Sequence, residues 1–198
     1  VTLPVLGPNM ISGMPRRTLR AARAGDPSFA TGTEQVQDWG GRWWEYDITI
    51  AASRDENARA LGALFAQIVD VGRFLFADPD AETSSSLGTP VVDGASQTGG
   101  TLNVTGLAAG SPLIKAGAFL SLGTEGDTRF HRILADVTPD GSGNAALSIV
   151  PSLRSSPANG AAVEINAPKV LLRPVSDIPE SVANGDIHSF SFTAREAI

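Results

Sequence analysis

The chain has 198 residues with 13 Pro, 21 Gly, no Cys and a formal charge of −6, a length that fits one large domain or two small ones. Its apolar fraction of 42% against 18% charged residues is that of a folded chain rather than a disordered one. Without cysteine there are no disulfides, thiolate zinc sites, iron–sulfur clusters or cysteine nucleophiles, and with no apolar run near the roughly 20 residues of a membrane helix and no signal-peptide pattern the chain is expected to be soluble.

Four arginines, Arg16, Arg17, Arg20 and Arg23, precede the first acidic residue, Asp26, so a basic segment opens an otherwise acidic chain. Net acidity argues against extended binding along nucleic acid, which needs a broad cationic face. Locally, the segment reads as a strand with solvated arginines on one side. As a surface, it offers guanidinium forks to acidic groups on a neighbouring subunit. From Trp44 onward Trp44, Tyr46, Ile48 and Ile50 alternate with Glu45, Asp47 and Thr49, the period of a half-buried strand. The preceding Asp38-Trp39-Gly40-Gly41, with Val36 upstream, suggests a hairpin partner. Trp39 and Trp43 are expected to cap the core rather than stack on a sugar.

A helix over about 54–70 follows. Ser53 as N-cap with Glu56 three residues on forms a capping-box pattern, and Asp55 and Glu56 suit the positive end of the helix dipole. Leu61, Leu64, Phe65 and Ile68 line one face, and Gly72 falls where a left-handed cap ends a helix. Phe74-Leu75-Phe76 then reads as a short buried strand stopped at Asp78-Pro79. Glu82 to Gly88 (ETSSSLG) has no apolar period and reads as a linker. Beyond it, Thr101–Val104, Ile114–Gly117, Phe119–Leu122, Arg129–Leu134, Asp136–Thr138, Ala146–Val150 and Ala162–Ile165 are short β-rich runs between turn residues, among them Pro139-Asp140-Gly141. That spacing indicates a small antiparallel barrel. Val170–Leu172 and Ile187–Phe192 return to strand patterns that complete the first sheet. The expected fold is mainly β: a discontinuous β-sandwich (1–80 with 169–198) carrying one amphipathic helix, with an OB-like barrel (87–168) inserted in it. Trp43, Trp44, Tyr46, Leu61, Phe65 and Ile68 are its expected sandwich core.

Chemistry is sparse. His131 and His188 have no companion at metal-ligand spacing. Gly141-Ser142-Gly143 lacks the spacing of a nucleophile elbow. Gly94 to Gly100 lacks the Lys-Ser/Thr ending of a phosphate loop. Asp136, Asp140, Asp127 and Glu125 cluster along the chain without the EF-hand pattern. No catalytic, cofactor or metal site is expected.

The order of signals resembles a known family. Trp39 to Ile50 (WGGRWWEYDITI), then the helix, then Gly72 to Pro79 (GRFLFADP) is similar to distal tail proteins of long-tailed bacteriophages. Gly99 to Leu107, Leu113 to Gly123 and Asp136 to Arg154 are similar to a β-barrel module inserted in phage structural proteins, with Ala118 where Asp is more frequent. The resemblance implies a virion protein at the distal end of the tail, a homo-oligomeric ring, hexameric in that family, joining the tail tube protein to baseplate hub and tail-tip proteins and near the tape measure protein. It implies no enzyme activity, no cofactor, no membrane and no sequence-specific nucleic acid. Arg16, Arg17, Arg20 and Arg23 are the expected subunit contacts. The alternatives are another minor tail or tube-end protein, or a barrel that binds host-surface carbohydrate, for which Phe119 and Phe130 are the only barrel aromatics.

Overall fold

A computed structural model describes residues 2–81, 87–109 and 113–198; the expected linker falls largely on 82–86, outside them. In chain order the strands are β1 (Val5–Leu6), β2 (Arg16–Pro27), β3 (Glu34–Thr49), β4 (Phe74–Ala77), β5 (Gly88–Val92), β6 (Gly99–Leu107), β7 (Phe119–Leu122), β8 (Arg129–Ile133), β9 (Ala145–Leu153), β10 (Val163–Glu164), β11 (Lys169–Pro174), β12 (Glu180–Ala183) and β13 (Ile187–Glu196). Among the described residues one α-helix, α1 (Asp55–Val71), lies between β3 and β4. The fold is mainly β, a discontinuous sandwich plus a barrel.

One sheet runs β1-β4-β11-β13-β3-β2, with β12 paired to β13. Its strands come from both ends of the chain. Lys169 on β11 pairs directly with Ala77 on β4, so the chain leaves this sheet and re-enters it at adjacent positions. The strands between them, β5 to β10, form the second sheet, β10-β7-β8-β9-β6-β5, which curls until a bridge between Val91 and Ala162 joins its two edges. Of the expected barrel runs, Ile114 and Val137 meet only as an isolated bridge. The expected Pro139 turn forms one residue later, where Asp140 Oδ1 accepts the Ser142 and Asn144 N–H groups.

The alternation from Trp44 has its consequence here: Trp44, Tyr46, Ile48 and Ile50 are buried, and α1 lays Leu61, Phe65 and Ile68 over the same core. Helix α1 ends where Gly72, at φ 74°, donates its N–H to Ile68 O at 2.8 Å. Its start differs from expectation. Arg54 is the N-cap, without a side-chain hydrogen bond. Ser53 cannot cap because its backbone exchanges hydrogen bonds with His188 (3.0 and 2.9 Å), which ties it to β13 two residues before the helix begins. Strand β4 is buried at every position, since Phe74 and Phe76 enter the main core while Leu75 joins Leu3 and Leu171 on the other face. A strand covered on both faces shows no alternation.

Two sequence expectations about the first hairpin are corrected. Asp38 to Gly41 is not a turn: β3 continues through it, and the chain reverses between Pro27 and Glu34. The glycines serve a bulge, in which Trp39, Gly40 and Gly41 oppose Ala22 alone; Gly40 takes φ 74° and donates to Asp38 Oδ1 at 2.8 Å. Trp39, on this bulge, is 63% exposed and caps nothing. Trp43 is the second correction. Strand parity places it opposite Trp44, half-buried beside Arg173, Arg195, Glu196 and Ile198 instead of in the core.

Candidate functional site

Parity on β2 also separates the four arginines. Arg16 and Arg20 pair across from Asp47 and Trp43, on the outer face, whereas Arg17 pairs across from Tyr46 on the core face. From that face Arg17 reaches Asp78, wholly buried, and Asp80 at 2.7 Å, both just past the end of β4. Tyr46 donates its hydroxyl to the same Asp78 oxygen at 3.1 Å. Burial pushes the Tyr46 phenol well above its ordinary pKa, and the Asp78 charge adds to this. Burial opposes the Arg17 charge, yet Tyr46, Asp78 and Asp80 together hold its pKa above the usual value. With its side chain only 11% exposed, Arg17 is committed within its own chain, which corrects the expectation of a subunit contact for this residue. Arg20 pairs with Glu45 at 2.6 Å and Arg23 with Asp38 at 3.0 Å, both at the surface. Arg42 shares Asp38 at 2.8 Å. The Gly40 N–H, then Arg23 and Arg42, hold the Asp38 carboxyl below its ordinary pKa.

Arg17 also stands at the joint between the two sheets. Its guanidinium lies 4.0 Å from the centre of the Phe119 ring, with Arg132 at 4.6 Å. Phe119 and Phe130 stack at 5.0 Å, and both meet Trp44 edge-on. The Trp44 indole N–H donates to Phe130 O at 3.0 Å. Beside it, Glu196 accepts from the Trp44 N–H at 3.4 Å and from Arg154 at 3.2 Å; Arg154 also donates to Arg42 O. Strands β7 and β8 thus turn Leu120, Leu122 and Ile133 into the barrel while Phe119 and Phe130 face the first sheet. Both phenylalanines are buried, so neither is available as a platform for sugar.

Three further surfaces complete the inventory. The outer halves of β2 and β3 project as a two-stranded arm on which Phe29, Val36 and Trp39 are exposed. Phe29 is legible in the sequence as an apolar residue inside a polar turn segment, SFATGT. A groove of about 700 Å³ opens beside α1, lined among others by Val5, Met10, Ala60, Leu61 and Leu64. Finally, His188 on β13 is held between Glu180 Oε1 (2.6 Å) and Asp186 Oδ1 (3.0 Å), two acceptors, of which Glu180 does most to raise its pKa. His131 is buried and donates from Nδ1 to Pro151 O at 2.7 Å. Burial lowers its pKa to about 4.

Among the described residues no three His, Asp or Glu side chains gather as a metal site. Asp136 is occupied by Lys115 and the Ala116 N–H, and Asp140 by its own turn. No described helix is long and apolar enough to cross a membrane. Compared with known proteins, the chain matches no family model and no curated sequence. What the geometry offers is surface: an arm, a long sheet edge on β2 that pairs on one side only among the described residues, and a barrel beside the first sheet.

Proposed function

We propose that the chain is a structural, non-catalytic ring protein at the distal end of a long-tailed phage tail, its first sheet building the ring and its barrel facing outward. The observation that carries this reading is the edge strand β2. It is 12 residues long and pairs on one side only, with β3. A long exposed edge invites pairing with another chain, and globular proteins that remain monomeric shorten or cover such edges. A cyclic ring uses two different patches per subunit, which an edge and arm at one end and a groove at the other supply. The insertion of a barrel between the paired strands β4 and β11 agrees with the domain plan that the sequence resemblance implies. In this reading the ring is a hexamer that meets the tail tube protein on one face and hub, tail-tip and tape measure proteins on the other.

Light scattering behind a sizing column tests it. A closed species near six times the 20.5 kDa chain mass, stable to dilution, is the expected result; a monomer at every concentration overturns the ring.

A further inference from the structure

Two apolar features remain unused by the fold, and they sit at opposite ends of the same strand. The first is the arm. Strand β13 supports β3 only from Glu45 to Thr49, so beyond the bulge β2 and β3 pair only with each other, and every residue from 23 to 40 is exposed. A two-stranded ribbon alone in water is marginally stable. Its tip, Ser28 to Thr33, has no charged side chain and carries the fully exposed Phe29. Behind the tip Arg23 and Arg42 share Asp38, and Asp26 and Glu34 stand at the base of the tip; two arginines against three acidic residues leave the arm close to neutral, so it asks for no strongly charged partner.

The second feature is the groove beside α1. Among the described residues none of its lining side chains is charged; Val5, Met10, Ala60, Leu61, Leu64 and Gln67 frame it. At about 700 Å³ it is the size of a binding pocket. It opens just past the C-terminal end of β3, whereas the arm's tip lies before the N-terminal end. Sixteen residues of strand separate them, about 50 Å at the usual rise, so a tip cannot fill its own groove.

The geometry points to a head-to-tail contact in which Phe29 of one copy seats in the α1 groove of the next. This rests on the ring reading and specifies its interface. Tip and groove are both uncharged, the groove mostly apolar with Asn9, Ser53, Asn57 and Gln67 on its lining, both belong to this chain, and their separation makes the contact intermolecular. Phe29 offers on the order of 150–250 Å², the anchor of an interface whose stable form needs roughly 800 Å² per partner, with the exposed strands of the arm behind the tip to supply more of it. Because tip and groove are different patches, the contact is heterologous and propagates, closing into a ring when the rotation allows.

The chain's lack of cysteine makes the test clean. Phe29→Cys and Ala60→Cys are prepared as separate proteins, both at exposed positions where the fold loses no contact, then mixed and mildly oxidised. The expected result is a covalent dimer that appears in the mixture and is absent from either protein alone, together with loss of the assembled species in Phe29→Ser at unchanged circular dichroism. An assembled wild-type ring that gives no mixed cross-link and survives Phe29→Ser overturns the tip-in-groove contact and leaves the ring standing. A Phe29→Cys self-cross-link in place of the mixed one overturns it in favour of a tip-to-tip contact. A wild type that is monomeric throughout overturns both.

Discussion

Arg17 concentrates the energetics of the joint in one side chain. Its charge answers the buried Asp78, its fork is split between Asp78 and Asp80, and its plane lies on Phe119. Arg17→Ala leaves Asp78 buried and unpaired and is expected to cost roughly 3–5 kcal/mol in urea unfolding, and Arg17→Lys is expected to recover only part of this, because an ammonium cannot reproduce a planar fork. The two histidines titrate in opposite senses. His131 is neutral when folded, so its contribution is complete above the unfolded pKa of 6.5 and is lost as pH falls toward the folded value of about 4. That window is worth about 3 kcal/mol, and His131→Asn, which keeps an N–H for Pro151 but does not ionise, should flatten it. His188, raised by Glu180 and Asp186, adds stability below pH 6.5 and loses it as pH rises through its folded pKa. Proton NMR of the two rings should show one titrating below and the other above the free value; coincident midpoints would contradict both environments.

Among the elements, α1 is the most conventional and β2 with β3 the least. The helix closes on Gly72 in a left-handed conformation with open space around the position a Cβ would take. Gly72→Ala should therefore cost about 1 kcal/mol through backbone strain alone, read as a lowered denaturant midpoint without a changed slope. Ser53 illustrates how a local signal fails: the capping-box spacing is present, but strand pairing with His188 claims the backbone first. The bulge at Gly40 is a similar case. A glycine pair flanked by polar residues signals a turn, and only the register across from Ala22 distinguishes a turn from a kinked strand.

For the whole molecule, the two cores meet through Trp44, whose ring touches Phe119 and Phe130 and whose N–H reaches Phe130 O. A shared buried aromatic couples the unfolding of the parts it joins. Trp44→Ala should cost about 3–5 kcal/mol and split a single calorimetric transition into two; one undivided transition in the variant would show that the sheets are coupled elsewhere.

The sequence by itself determined the mainly β class, the helix over α1, the core parity of Trp44, Tyr46, Ile48 and Ile50, and the return of the last strands to the first sheet. All of these rest on periods of two or 3.6 residues, which are written locally. Only the tertiary structure decided that Arg17 turns inward while Arg16, Arg20 and Arg23 stay out, that Trp39 and Trp43 leave the core, that Phe119 and Phe130 are closed off at the joint, and that Phe29 ends an arm. Those outcomes depend on which strand lies alongside and how far its pairing extends, and that information belongs to contacts between segments distant in the chain rather than to any one of them.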